Sequence, residues 1–267
     1  MESNLPGNRT WGAPPYRVAV VHGGPGAAGE MAPVALALSA RQGIFEPMQT
    51  EQSVDGQVEE LRAALERSCQ PPVVLVGFSW GAWLSFMLAA RHPGLVSKLI
   101  LIGSGPFEAK YAWNVTRTRL SRLGEAEKNE FIELLEALDT PPDDTDEDKD
   151  AMMARLGELS AAADSFDPLE RGEEVVECRW DIFARVWKEA AEMRASGRLL
   201  KQGKSITCPV VAIHGDYDSH PAEGVRDPLT RVLKDFRFIL LEDCGHEPWH
   251  EKAARDGFFE ILRNELG

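Results

Sequence analysis

The sequence predicts an α/β fold, in which a mostly parallel sheet is flanked by helices and interrupted by an inserted, all-helical segment. Apolar runs and helical patterns alternate over the first hundred or so residues and again near the end, as in a parallel sheet covered on both faces. Between these parts, from 106 to 204, we find helical periodicity only. The length of 267 residues suits one large domain carrying such an insertion.

The elements follow from local patterns in chain order. Residues 1–15 are polar and rich in Gly and Pro, so we expect a flexible arm there. Because so little chain precedes the first apolar run, we expect a trimmed sheet of about six strands. The predicted strands are 17–21, 44–49, 73–76, 98–102, 209–213 and 236–241, and helices are predicted at 32–40, 53–68, 80–91 and 253–266.

Composition excludes several classes of partner. The net charge of −14 argues against nucleic acid and against an anionic membrane surface, since both require basic patches. No stretch approaches the roughly 20 apolar residues of a membrane span, and the N-terminus has no apolar core of a signal peptide. The four cysteines show no metal or redox spacing, which predicts free thiols in a cytoplasmic protein.

The pattern change divides the chain into a sheet-containing core, 1–105 and 205–267, and an inserted segment, 106–204. Helical faces in the insertion carry Phe131, Leu134, Leu135 and Leu138 on one helix, and Val176, Trp180, Phe183 and Trp187 on another. Trp180, Phe183 and Trp187 form a buried helix face or the wall of a substrate pocket. The acidic run 143–150 lacks the Gly and Glu of a calcium loop, so we interpret it as a solvated loop leading into a helix.

The segment around Ser79 has the pattern of a catalytic nucleophile. Gly77-Phe78-Ser79-Trp80-Gly81 follows an apolar strand and precedes a helical pattern, which is the context that a Gly-x-Ser-x-Gly motif requires. A serine on so sharp a turn stands clear of the sheet, and the two glycines allow strand and helix to pass closely. We therefore predict Ser79 to be a nucleophile.

A serine hydroxyl needs a base, and the base needs an orienting acid. His246 follows the last predicted strand and is the candidate base. Asp216 and Asp218 both follow the preceding strand, and spacing alone does not choose between them; Asp243 is too close to His246 and is interpreted as a turn residue. The chain order Ser, Asp, His is the one expected for a genuine nucleophile elbow.

Acyl transfer also needs backbone N–H groups directed at the developing oxyanion. The elbow supplies one, the N–H of Trp80 at the start of its helix. The second is expected from the Gly-rich loop after the first strand, His22-Gly23-Gly24-Pro25-Gly26, where we predict the N–H of Gly24.

Two rival interpretations use overlapping residues. Gly24, Gly26 and Gly29 match a dinucleotide fingerprint, with Glu46 at a plausible distance for a ribose contact. Alternating His214, Asp216, Asp218 and His220, together with His246 and His250 four apart, could suggest a metal hydrolase. The first leaves Ser79, Asp218 and His246 unexplained. In the second the alternating residues lie in a turn, and Pro248 disfavours a helix that would pair His246 with His250. We therefore predict neither a cofactor nor a metal.

Together these motifs resemble the α/β-hydrolase superfamily over nearly the whole chain. The resemblance implies Asp218 rather than Asp216 as the acid, and the insertion as a cap that shapes the substrate pocket. His-Gly-Gly-Pro-Gly with Ser-Trp-Gly is most similar to the proline iminopeptidase branch, although those enzymes usually carry Gly where this chain has Phe78.

The expected activity is hydrolysis of a small carboxylic ester or amide through an acyl-enzyme on Ser79. The alternatives are a proline iminopeptidase-like aminopeptidase and a catalytically silent hydrolase fold that binds a ligand or protein. The sequence contains no basis for predicting the oligomeric state.

Overall fold

The computed structural model describes residues 7–139, 147–170 and 177–267, and its centre is a seven-stranded sheet. In chain order the strands among these residues are β1 (Arg9–Trp11), β2 (Tyr16–Val21), β3 (Ala27–Ala28), β4 (Gly43–Glu46), β5 (Val73–Phe78), β6 (Val96–Ile102), β7 (Glu177–Cys178), β8 (Val210–Gly215) and β9 (Phe236–Leu241). The large sheet has the order β1-β4-β2-β5-β6-β8-β9. All its neighbours are parallel except β1, which is antiparallel to β4.

Helices cover both faces of this sheet. They are α1 (Ala32–Ser39), α2 (Val54–Ser68), α3 (Trp80–Arg91), α4 (Ala109–Ala112), α5 (Val115–Arg122), α6 (Glu125–Leu138), α7 (Glu147–Asp164), α8 (Trp180–Ala195), α9 (Arg198–Gln202), α10 (Glu223–Val232) and α11 (Arg255–Leu266). Alternate strand residues face opposite clusters, as the pleat requires. In β6, Leu99 and Leu101 pack with α2 and α3, whereas Ile100 and Ile102 pack with α1 and α11.

The inserted helices α4 to α9 lie between β6 and β8 in the chain. Two of them, α8 and α9, contribute to the main apolar core, because Ile182, Val186 and Leu199 belong to the same buried cluster as residues of α3. Within the described parts of the insertion, the regular structure is helical apart from β7, which pairs antiparallel with β3 in the Gly-rich loop region. Val176 and residues 143–146 of the acidic run lie outside the described residues.

The prediction of a flexible N-terminal arm is wrong for residues 7–15. Arg9–Trp11 forms an edge strand on β4, so the sheet has seven strands rather than about six. The physical reason is that β4 would otherwise present an unpaired edge, and that the Trp11 indole N–H donates to buried Glu46 at 2.9 Å. Three residues between Gly and Pro are too short for a periodicity signal.

The other predicted elements are confirmed with small shifts of their ends. The strand predicted at 44–49 ends at Glu46, since Pro47 cannot donate to a ladder. Helix α2 begins after Ser53, whose hydroxyl accepts a hydrogen bond from the N–H of Gly56 at 3.0 Å. No helix within the described ranges is both long and apolar enough to cross a bilayer.

Candidate active site

Ser79 lies on the turn between β5 and α3. Its backbone has φ 50° and ψ −112°, a strained conformation for a residue other than glycine. The turn is tight: a Cβ on Gly77 would collide with the carbonyl oxygen of Gly81, and a Cβ on Gly81 with that of Val21. The Ser79 hydroxyl is half-buried and makes no hydrogen bond with a described residue, which leaves it available to a ligand.

His246 lies in the loop after β9 and contacts Asp218 in the loop after β8. Its Nδ1 is 2.7 Å from Oδ2 of Asp218, and because an ionised carboxylate only accepts, Nδ1 carries the proton and Nε2 is left as a base. Asp216 is exposed and accepts the N–H of Cys244 at 3.2 Å instead. Asp243 lies in an exposed turn with φ 51°.

The Asp218 carboxylate is completely buried and serves more than one imidazole. Its Oδ1 accepts from both the backbone N–H and the Nδ1 of His220, at 2.9 and 2.8 Å. The Nε2 of His214 lies 3.5 Å from Oδ2 and donates to the carbonyl oxygen of His220 at 2.8 Å. These contacts hold the Asp218 carboxylate in the orientation in which its Oδ2 accepts the hydrogen bond from His246.

These contacts shift the pKa values of Asp218 and His246 in opposite directions. Burial of Asp218 raises its pKa, but the three neighbouring histidines lower it by more, so it stays well below its usual range. Burial lowers the pKa of His246, whereas the charge of Asp218 and its hydrogen bond raise it, with a net pKa of about 9. Burial lowers the pKa of His220 despite its own bond to Asp218.

Phe78 places the imidazole of His246 beside the elbow. The Phe78 ring is buried, with its centroid 4.8 Å from that of His246 and 4.7 Å from that of Trp249. The His220 ring lies 4.7 Å from His246 on another side. Phe78, the middle residue between Gly77 and Ser79 of the elbow, thus packs against the candidate base.

The Gly-rich loop lies beside the elbow and is held by internal bonds. Buried His22 donates from Nδ1 to the carbonyl oxygen of Gly23 at 2.7 Å, and burial lowers its pKa to about 4, so the ring is neutral. The carbonyl oxygen of Gly24 accepts the N–H of Ala27 at 2.9 Å. Trp80 is the first residue of α3, where backbone N–H groups have no partner within the helix.

Trp180, Phe183 and Trp187 form a stack along α8. Successive centroids are 5.7 and 5.9 Å apart, and Trp187 stacks on Trp83 of α3 at 5.7 Å. Trp180 is buried in a small cluster with Leu138, while Phe183 and Trp187 are only partly buried. The stack joins the insertion to the helix that begins at Ser79.

The geometry does not fit the dinucleotide interpretation. The Gly-rich loop leads into β3 and not into a helix N-terminus, and the Glu46 carboxylate is buried against Trp11. For the metal interpretation, candidate ligand atoms of Asp218, His220 and His246 lie within 4.8 Å of one another. Both Nδ1 atoms and both carboxylate oxygens there are already joined by hydrogen bonds.

Sequence patterns did not reveal a second set of residues around His246. The backbone N–H of His246 donates to the carbonyl oxygen of Asp164, at the end of α7, at 2.9 Å. The Asp164 carboxylate is buried and binds Arg119 of α5 in a bidentate pair, with its shortest contact at 2.6 Å. Buried Glu251 accepts the N–H of Gly245 at 2.9 Å. No local signal identifies these residues, because each pairs with a distant segment.

A mostly parallel sheet with a serine at the turn after a central strand, and with an aspartate and a histidine after later strands, defines the α/β hydrolase class. Residues 17–253 match the alpha/beta hydrolase fold family, and the chain belongs to it. The protein is accordingly an enzyme of the hydrolase class.

Two curated relatives are similar in sequence, and both are pimeloyl-[acyl-carrier protein] methyl ester esterases. The protein of Nitrosospira multiformis is 23% identical over 202 residues, which cover 73% of this chain and 69% of the relative. That of Nitrosomonas europaea is 24% identical over 178 residues, 65% of this chain and 64% of the relative. The match to the second relative therefore spans slightly less than two thirds of its length.

Solved structures confirm the fold. VinJ superposes with a TM-score of 0.64 at 17% identity, covering 97% of this chain and 93% of VinJ. Proline iminopeptidase of Mycobacterium smegmatis gives a TM-score of 0.60 at 15% identity, with the same coverage of 97% and 93%. The resemblance to the superfamily is thus confirmed, and a proline iminopeptidase is among the structural neighbours.

Proposed function

We propose that this protein hydrolyses carboxylic esters through an acyl-enzyme on Ser79. As the Ser79 oxygen attacks the carbonyl carbon, Nε2 of His246 takes the hydroxyl proton. That proton then goes to the departing alkoxide, which leaves as an alcohol. A water molecule, deprotonated by His246, attacks the acyl group; the acid is released and Ser79 regains its proton.

The remaining groups hold charge in place during these steps. Asp218 keeps the imidazole in the required tautomer and stabilises the imidazolium that forms. The backbone N–H groups of Gly24 and Trp80 are the proposed donors to the tetrahedral oxyanion. Residues 106–204 act as a cap over the site, with Trp180, Phe183 and Trp187 as its aromatic wall.

One observation carries the proposal. Ser79 has a strained backbone at the end of β5, and its hydroxyl has no hydrogen-bond partner among the described residues. The His246–Asp218 pair, at 2.7 Å, lies in loops at the same edge of the sheet. A candidate nucleophile, base and orienting acid at one edge of the sheet support nucleophilic catalysis by a serine. Nothing in it depends on a cofactor.

The names of the curated relatives favour an ester over an amide as the substrate. Both curated relatives carry the name of a methyl ester esterase, which favours a carboxylic ester as substrate, including one carried by a protein. The likeness to proline iminopeptidase is one of fold only, at 15% identity. None of the four cysteines forms a disulfide in the described structure, which supports a cytoplasmic location.

Labelling with a fluorophosphonate probe tests the proposal. We expect the wild type to be labelled, Ser79→Ala to be unlabelled, and Ser104→Ala, which changes a hydroxyl bonded to a neighbouring carbonyl at the same sheet edge, to be labelled like wild type. p-Nitrophenyl esters compared with amino-acid arylamides then distinguish esterase from aminopeptidase. A folded wild type that neither reacts with the probe nor cleaves any ester contradicts the proposal and favours the silent binding fold.

A further inference from the structure

Glu251 is a buried carboxylate whose described hydrogen-bond donors are all backbone groups. It is 1% exposed. Its Oε1 accepts the N–H groups of Gly245 and Phe166, and its Oε2 accepts that of Asp167, each at 2.9 Å. Burying a carboxylate is unfavourable unless such bonds replace its lost hydration. Because the three N–H groups share one buried acceptor, they are held close to one another.

The three donors come from two segments that are far apart in the chain. Phe166 and Asp167 follow α7 in the inserted segment, whereas Gly245 directly precedes the candidate base. Glu251 therefore joins the insertion to the loop that carries His246. Its backbone takes part as well, through a bridge with Pro168.

Further contacts make this junction rigid. The N–H of Leu169 donates to the carbonyl oxygen of His250 at 2.6 Å, and that of Lys252 to Asp167 at 3.1 Å. A Cβ on Gly245 would collide with the carbonyl oxygen of Asp164 and with the Glu251 carboxylate. The insertion is thus packed directly against the peptide unit before His246.

Two consecutive backbone N–H groups of the base loop are held by hydrogen bonds, one of them from the insertion. The N–H of Gly245 is bound by Glu251, and the N–H of His246 is bound by the carbonyl oxygen of Asp164. Because the imidazole is attached to this backbone, its position depends on both bonds.

We propose that Glu251 is a positioning residue for His246, which locks the base loop onto the end of α7 so that base and cap move as one unit. The inference rests on the proposed function for its catalytic consequence. The position of the base, and with it kcat, then depends on the packing of the inserted segment against the base loop.

The test is Glu251→Gln, which keeps the shape of the side chain but turns one acceptor into an N–H₂ donor facing a backbone N–H. We expect kcat for p-nitrophenyl butyrate to fall about 100-fold, the scale that a misplacement near 1 Å can cause, with KM changed less than about twofold. Glu251→Asp keeps the negative charge and some of the hydrogen bonds, so its kcat should lie between those of the wild type and Glu251→Gln.

Glu60→Gln is the matched control. The Glu60 carboxylate also accepts three hydrogen bonds, from the N–H and hydroxyl of Thr50 and the N–H of Glu51, but it lies on α2 away from the base loop. We expect its kcat to equal that of wild type. An equal loss of kcat in both Gln variants, or no loss in a folded Glu251→Gln protein, overturns the proposal.

Amide hydrogen exchange supplies a readout that does not depend on activity. In Glu251→Gln, amide exchange should rise in both 164–169 and 244–247. Glu251→Asp replaces this variant if it does not fold. In Glu60→Gln, exchange should rise in neither segment. A rise in one segment alone contradicts the coupling. If the wild type has no esterase activity, the proposed function fails, while this exchange result still decides whether Glu251 joins the two segments.

Discussion

His246 is the residue whose protonation governs the proposed reaction. Burial lowers its pKa, but the Asp218 charge and hydrogen bond raise the net pKa to about 9. An imidazolium cannot accept the Ser79 proton, so the active form of the base increases as pH rises toward that value. The imidazole–carboxylate pair that orients the base thus also makes it strongly basic.

We expect kcat/KM for an activated ester to rise about tenfold per pH unit below a midpoint near 9 and then to level off. The measurement is a pH–rate profile from pH 6 to 10.5, corrected for spontaneous hydrolysis. In Asp218→Asn the midpoint should fall, because burial then lowers the pKa of His246 without the opposing charge, and the plateau should drop by about 10⁴-fold. A midpoint below pH 7 in the wild type would contradict this assignment.

Asp216→Asn is the control for that variant. It lies two residues from Asp218 but is exposed and bonded to Cys244 rather than to His246. Its profile should superpose on that of the wild type. A large loss of rate in this variant would show that Asp216, and not Asp218, is the acid.

The edge strand β1 shows how a short element can decide the environment of a buried charge. Trp11 donates its indole N–H to Glu46 at 2.9 Å, and the Arg9 guanidinium is 4.0 Å away. Burial raises the pKa of Glu46 from 4.5 to about 7, although the Trp11 bond and the Arg9 charge lower it in part. The second oxygen of the carboxylate has no described partner.

This arrangement makes stability depend on pH. Between pH 4.5 and 7 the folded state binds a proton at Glu46 that the unfolded state has lost, so the free energy of unfolding falls as pH rises through this range. Glu46→Gln keeps an acceptor for Trp11 without the charge. We expect it to be about 2 to 3 kcal/mol more stable than wild type at pH 8, with no gain near pH 4.5.

Urea denaturation at the two pH values measures this difference. The exposed Glu242→Gln serves as a control and should match the wild type at both. If Glu46→Gln raises the free energy of unfolding equally at both pH values, packing and not ionisation explains the effect.

Over the whole molecule, the inserted segment and the sheet share one core. Ile182, Val186 and Met193 of α8 lie in the same buried cluster as Trp83 and Phe86 of α3. The Glu251 contacts join the two parts a second time, beside the base. The part of the insertion that contains α8 and α9 therefore packs into the same core as the sheet.

We expect a single cooperative unfolding transition, because α8 and α9 of the insertion complete the largest buried cluster of the sheet. Calorimetry should give equal van't Hoff and calorimetric enthalpies. Ile182→Ala, although in the insertion, should lower the stability of the whole protein by about 2 to 5 kcal/mol. Two separate transitions, with only one sensitive to Ile182→Ala, would contradict this.

Local pattern was sufficient for the elbow and for most of the sheet. Val73 to Gly81 combines an apolar strand, two glycines and a helix start within a dozen residues, and such short-range signals depend on steric limits of the chain itself. The order of Ser79, Asp218 and His246 along the chain can likewise be predicted from the sequence.

Long-range packing decided the rest. Whether Asp216 or Asp218 meets His246 depends on which side chain the turn after β8 directs inward, since both follow the same strand. Edge strand β1 forms because β4 offers it a partner, and Glu251 joins loops whose positions are set by the whole fold. Contacts between segments that are distant in sequence have no local period or propensity, so only the tertiary structure could identify them.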